Sequence, residues 1–300
     1  MTTLSSVADV TRQVQFAEES TYGVILTNPT LTNIGGITDI SDSTDITAKR
    51  YRVLGSEDIY RGLSCGELYA FELKYNPSTT ALARYGTELQ GGGTGTIDKS
   101  LQILVGYKLN GVENFVVFKG CKTDKIDIEI TTDDMSITQN FICQDITTPS
   151  SSTHGMGSPV FAAAFSGTPL CSTDTGVNPL TINSITYECL RFHASVSRNL
   201  HAVSIVGGPS AGAGKIAYLV PTVRDIDIDF DLLYYNTTTM ADVKTLTARA
   251  ASMVINSVGP KTFTMGNLQL ESTKFDLSAE SKEVFVRSFS GFAQTCTLTA

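Results

Sequence analysis

Residues 223–236 read Val223-Arg224-Asp225-Ile226-Asp227-Ile228-Asp229-Phe230-Asp231-Leu232-Leu233-Tyr234-Tyr235-Asn236. Ile226, Ile228 and Phe230 alternate with Asp225, Asp227, Asp229 and Asp231. Strict alternation is the mark of a β-strand, because successive side chains leave opposite faces; a helical turn would mix the two sets. Neighbouring carboxylates on such a strand stand about 6–7 Å apart. A row of them cannot enter a dry core, where an unpaired carboxylate costs several kcal/mol. One face of this strand is therefore packed and the other is wet. The wet face has three readings: a solvated sheet surface, a divalent-cation site, or the wall of an assembled pore. A cation site needs oxygens converging from a bent loop, and a straight strand splays them.

An earlier stretch has the same character. In Lys125-Ile126-Asp127-Ile128-Glu129-Ile130 the side chains of Lys125, Asp127 and Glu129 share one face and the isoleucines the other. Further parallels follow in order. Glu67 to Asn76 predicts a strand ending in Tyr75-Asn76, as the first strand ends in Tyr235-Asn236. Each leads into a predicted short helix, over 77–86 and 237–249, with Asn76 or Ser78 and Asn236 or Thr238 as caps. Residues 115–120 and 125–130 are echoed by 262–266 and 274–277, and 136–143 by 284–292. The order strand, helix, strand, strand, strand thus occurs twice, which predicts an internal duplication.

The chain has 300 residues, enough for two ordinary domains. The expected division is a first domain over 1–148, a Ser/Thr/Gly/Pro linker over 149–160, and a second domain over 161–300. Thr, Ser, Ile, Val and Gly dominate, a β-protein palette. Residues 1–15 read as a polar arm. Residues 38–46 show no clear period and read as a loop or loose hairpin, and 160–184 carry no assignable pattern. No apolar run approaches the ~20 residues that cross a bilayer, and no secretory signal is expected at Met1. The six cysteines, at 65, 121, 143, 171, 189 and 296, show no Cys-x-x-Cys spacing and read as buried free thiols. No metal or other cofactor is expected. A net charge of −8 opposes affinity for nucleic-acid backbones, but does not exclude a wall that DNA passes without sticking.

Motifs of catalysis fit poorly. Gly208-Pro209-Ser210-Ala211-Gly212 matches the pattern of a nucleophile elbow, but a strand (215–220) follows where a helix is required. Gly214-Lys215 resembles a phosphate loop, but Pro209 replaces its first glycine and Ile216 its magnesium-binding hydroxyl. His154, His193 and His201 lack nearby ligand motifs and read as satisfied or surface residues. The expectation is no enzyme.

Ala17-Glu18-Glu19-Ser20-Thr21-Tyr22-Gly23 resembles the opening of tail tube (major tail) proteins of long-tailed bacterial or archaeal viruses. The Tyr75-Asn76-Pro77 exit into a helix is similar, as is Gly120 followed by Lys125-Ile126-Asp127-Ile128 and a strand ending near Phe141. The resemblance covers most of the chain in order of elements, and only short strings in identity. It implies a mainly β fold of two duplicated β-sandwich or half-barrel domains, each with one short flanking helix. It implies subunits forming rings, either trimers of pseudo-sixfold symmetry or hexamers. The rings stack into a virion tail tube that conducts the genome and meets other tail proteins at its ends. Such a protein is made in the host cytoplasm and touches no membrane. Asp225, Asp227, Asp229, Asp231, Lys125, Asp127 and Glu129 become the candidate lumen residues. Polar segments 25–62 and 147–184 become candidates for ring-to-ring contact. The competing reading is a two-domain β-rich virion decoration or adhesion module.

Overall fold

The computed structural model describes residues 11–26, 32–33, 35–52, 59–77, 100–109, 112–132, 134–147, 180–204, 216–233, 238–255, 261–275 and 286–299. The chain is mainly β. On the N-terminal side run β1 (Thr11–Glu18), β2 (Thr32–Asn33), β3 (Gly35–Arg52), β4 (Ile59–Pro77), β5 (Leu101–Leu109), β6 (Val112–Ile130), β7 (Met135–Cys143) and β8 (Asp145–Thr147). There follow β9 (Leu180–Ile182), β10 (Ile185–Tyr187), β11 (Cys189–Ser197), β12 (Leu200–Ser204), β13 (Ile216–Pro221) and β14 (Asp225–Leu233). A helix, α1 (Thr238–Thr245), precedes β15 (Arg249–Ile255), β16 (Lys261–Phe275), β17 (Val286–Phe292) and β18 (Thr295–Thr299).

The strand expected over 225–231 is β14. Ile226, Ile228, Phe230 and Leu232 are all buried, while Asp225 and Asp227 are exposed. Strand β7 alternates as regularly, with Met135, Ile137, Phe141 and Cys143 buried. These inward rows meet in one hydrophobic cluster, each fully buried Ile or Phe contributing roughly 1.5–3 kcal/mol.

Eight strands lie side by side as a central sheet, in the order β3-β4-β7-β6-β11-β14-β17-β16, every neighbouring pair antiparallel. Two small sheets pack over its apolar face. One is β2-β1-β5 with the first half of β6 and β8. The other is β10-β9-β15 with the first half of β16 and β18. Phe71 of β4 meets Phe118 of β6 at 4.8 Å between rings, and Phe192 of β11 meets Phe263 of β16 at 5.8 Å, tying each small sheet to the central one.

Strands β6 and β16 belong to both layers, so each must bend. Each bend holds a left-handed residue, Gly120 (φ 61°) in β6 and Asn267 (φ 54°) in β16, followed by a break in register at Asp124 or Glu271. Glycine is required at 120: a Cβ there would lie 2.7 Å from the Cβ of Gln144. Asparagine tolerates the same conformation better than other residues with a Cβ.

Three expectations change. Residues 38–46 are strand, not loop, because the whole of β3 pairs with β4 and this satisfies its backbone despite the polar sequence. Strand order begins at Thr11, inside the expected arm, through pairing with β5. The helix over 237–249 shortens to α1, because Arg249 turns back to pair with β16 and clamps Asp242 with two hydrogen bonds, of 3.0 and 2.7 Å. Residues 78–86 of the expected first helix (77–86), the linker 149–160, His154 and the Ser210 loop lie outside the described residues, while Pro77 ends β4. Cys121, Cys143 and Cys296 are buried free thiols, and Cys189 is a half-buried one.

Candidate functional site

The wet face of the central sheet gathers both charged rows. Strand β11 lies between β6 and β14, so Lys125, Asp127 and Glu129 on one side and Asp225, Asp227 and Asp229 on the other flank a single strand. In register, Asp127 opposes Ser195, which opposes Asp227; Glu129 opposes His193, which opposes Asp229. Two strand spacings set the two rows about 10 Å apart. The face continues outward with polar residues: Thr138, Asn140, Lys74, Glu72, Asp39 and Ser41 toward β3, and Ser288, Ser290, Ser272 and Lys274 toward β16.

Several charges on this face are paired. Lys125 Nζ lies 3.0 Å from Asp127, and Arg191 Nε donates to Glu129 Oε1 at 3.0 Å. His193 stands between two carboxylates, its Nδ1 3.3 Å from Asp229 and its Nε2 3.7 Å from Asp127. The nearby Asp127 carboxylate raises the His193 pKa most; burial opposes it, and Asp229 adds to the rise. Burial also pushes the Asp127 carboxyl upward, but His193, Ser195 and Lys125 together outweigh it and hold it down at about 2. By sequence His193 reads as a satisfied or surface residue. Its even spacing with Ser195 and Ser197 already placed all three on one face; nothing local told which strands would flank them.

Where β6 meets β11, the hairpin of β12 and β13 folds over the first half. Lys122 Nζ donates to Leu219 O at 3.2 Å and Gln144 Nε2 to Ile216 O at 2.8 Å. Asp124, at the break in β6, accepts from Leu200 N through Oδ1 at 2.7 Å and from Arg198 N through its carbonyl at 2.7 Å. The far edges of the central sheet are different. Among the described residues, β3 pairs only with β4, and residues 269–275 of β16 pair only with β17.

Beneath the first small sheet lies Glu19 of the Glu-Ser-Thr-Tyr-Gly string. Its buried carboxylate accepts from Gly23 N at 2.8 Å, from Gly120 N at 2.7 Å and from the Ser100 hydroxyl. It thereby joins the loop after β1 to the bend of β6.

A wide sheet with one polar face, a covered apolar face and two edges unpaired among the described residues defines a structural class of mainly β protein. The family model described as phage tail tube protein matches residues 10–287, and the chain belongs to that family. It is thus a structural protein of a virus tail. A search of curated proteins found no match.

Proposed function

We propose that this chain is a ring-forming subunit of a tail tube, built from two copies of one fold, and that the wet face of its central sheet lines the bore. The order of strand pairing carries this reading. In the first half, β6 bends between a small sheet, where it pairs with β5 and β8, and the central sheet, where it pairs with β7. In the second half β16 does the same with β15, β18 and β17. The central order β3-β4-β7-β6 is then repeated as β11-β14-β17-β16. The proposed division stays at 1–148, 149–160 and 161–300.

Repetition has a geometric consequence. The junction β6·β11 joins the last strand of one unit to the first of the next. The same junction between β16 of one chain and β3 of another would remove both open edges, and repeating it closes a ring. Chain number follows from size. With strands 4.8 Å apart and tilted by about 40°, two copies give a backbone diameter of about 32 Å, three about 48 Å and six about 95 Å. Side chains on both walls take roughly 10 Å, so two copies leave a bore hardly wider than a duplex and six an unfilled one. Three copies, with pseudo-sixfold symmetry, fit best. The small sheets lie on the longer, outer circumference, which turns Asp225, Asp227, Asp229, Asp231, Lys125, Asp127 and Glu129 inward.

An anionic lining repels phosphate, so DNA slides through without binding. No catalysis is needed. The protein would be made in the host cytoplasm and meet other tail proteins at the tube ends. Negative-stain images of the purified protein test the reading. Rings or tubes on the order of 7–8 nm across are expected, from the barrel plus one outer sheet layer on each side. A sharp monomer at high concentration would refute it, and discrete small oligomers without tubes would favour a decoration module.

A further inference from the structure

The geometry points to a defined register for the seam between neighbouring subunits: Ser43 of one chain directly opposite Lys274 of the next, with Glu271 accepting from the backbone of the incoming β3. This inference rests on the tube reading and adds the residues that make the joint.

The chain contains its own template. Three features place β6 on β16 at one constant offset. The left-handed residue is Gly120 in one and Asn267 in the other. Gln144 N donates to Lys119 O at 2.9 Å, as Gln294 N donates to Gly266 O at 3.1 Å. The register breaks at Asp124, as it breaks at Glu271. A fourth feature aligns β4 with β14. Cys143, the residue before Gln144, pairs with Tyr69, and Ala293, the residue before Gln294, donates to Ile226 O at 3.0 Å.

The internal seam can then be carried over. Ser195 opposes Asp127, three residues past the break at Asp124; three residues past Glu271 is Lys274. Ser195 also opposes Asp227, the residue after Ile226. The residue after Tyr69 is Ala70, whose partner on β3 is Ser43. Ser43 is thus the counterpart of Ser195 and meets Lys274. The faces agree: Ser43 and Lys274 are both exposed on the wet side.

Glu271 supplies the second part. In the internal seam the Asp124 carboxylate holds Leu200 N, just past the end of β11. Glu271 occupies the same break on β16, is exposed, and has one more methylene of reach. It is placed to hold the backbone N–H near Ala48 of the neighbour's β3.

Cysteine pairs read the register. Directly opposed residues on antiparallel strands have Cα atoms about 4.5–5.5 Å apart, within disulfide range. The double variant Ser43→Cys/Lys274→Cys should give a covalent ladder of subunits on mild oxidation of assembled rings. Each single variant, which controls for the six native thiols, should not. Ser41→Cys/Lys274→Cys and Asp45→Cys/Lys274→Cys, displaced by two residues, should cross-link more slowly. Tubes that cross-link through a displaced pair, or through none, overturn the register and leave the tube reading standing. Absence of rings or tubes from the wild type overturns both. Glu271→Gln and Glu271→Ala should leave the melting temperature of the unassembled protein unchanged. The alanine variant should raise the concentration needed for rings about tenfold, the loss of one charged hydrogen bond per seam. Unaltered assembly would remove Glu271 from the seam.

Discussion

Replacing Glu19 by alanine should damage the protein more than any other single change in its opening loop. The carboxylate is 5 % exposed and satisfies three donors: Gly23 N, Gly120 N and Ser100 Oγ. Burial raises its pKa and those donors lower it only in part. Alanine leaves all three donors without an acceptor. Each orphaned buried donor costs about 1–3 kcal/mol, and water entering the vacated space recovers part of it, so a loss of about 4 kcal/mol is expected. A chain of 300 residues unfolds with an entropy of about 0.6 kcal/mol per degree, which converts that loss into a fall of roughly 6 °C. Glu19→Gln keeps one acceptor oxygen but turns an amide donor toward another N–H, so about half the loss should remain. The readout is thermal and urea unfolding of the unassembled protein, followed by far-ultraviolet circular dichroism. A loss below about 1 kcal/mol for the alanine variant would refute the view that this carboxylate joins the loop to the bend of β6.

The pH dependence of the internal seam should follow His193. Its pKa is raised in the fold, so its contribution is complete below its unfolded value of about 6.5 and fades as pH climbs through the folded one. The melting temperature of the wild type should therefore drop more between pH 6 and pH 8 than that of His193→Gln; parallel profiles would argue against the contact. Asp127 has a lowered pKa, so its contribution holds above its unfolded value and is lost only as pH falls through about 2. Gly291→Ala should lower stability by about 2–3 kcal/mol, because the added Cβ would sit 2.1 Å from Gln269 O and 2.9 Å from Leu270 Cα, both backbone atoms that must move. A melting temperature equal to wild type would contradict this. Asp225→Lys/Asp227→Lys should convert assembled tubes from non-retaining to salt-sensitive retention of DNA in a pull-down. Equal retention by both would place this face outside the bore.

Local alternation was enough to specify β14 and the second half of β6, and with them the charged faces. Isoleucine or phenylalanine at every second position leaves one way to bury the apolar set. A composition rich in Thr, Ser, Ile and Val pointed to a mainly β protein as well. Strand β3 was not legible. Its run of Thr, Asp and Ser carries no apolar row, and it is a strand because β4 supplies the hydrogen bonds. The Tyr75-Asn76 and Tyr235-Asn236 echo sets one offset between the two stretches of chain, whereas the pairing of Tyr69 with Cys143 and of Ile226 with Ala293 sets another.

The amino-acid order alone determined which side chains share a face, because that depends only on the two-residue repeat of an extended chain. Which strands lie together was decided by the tertiary structure. Backbone donors and acceptors are the same along every strand, so pairing is selected by long-range packing. That choice inserted β11 between β6 and β14, set His193 between Asp127 and Asp229, and put β3 and β16 at the outer positions of the central sheet among the described residues.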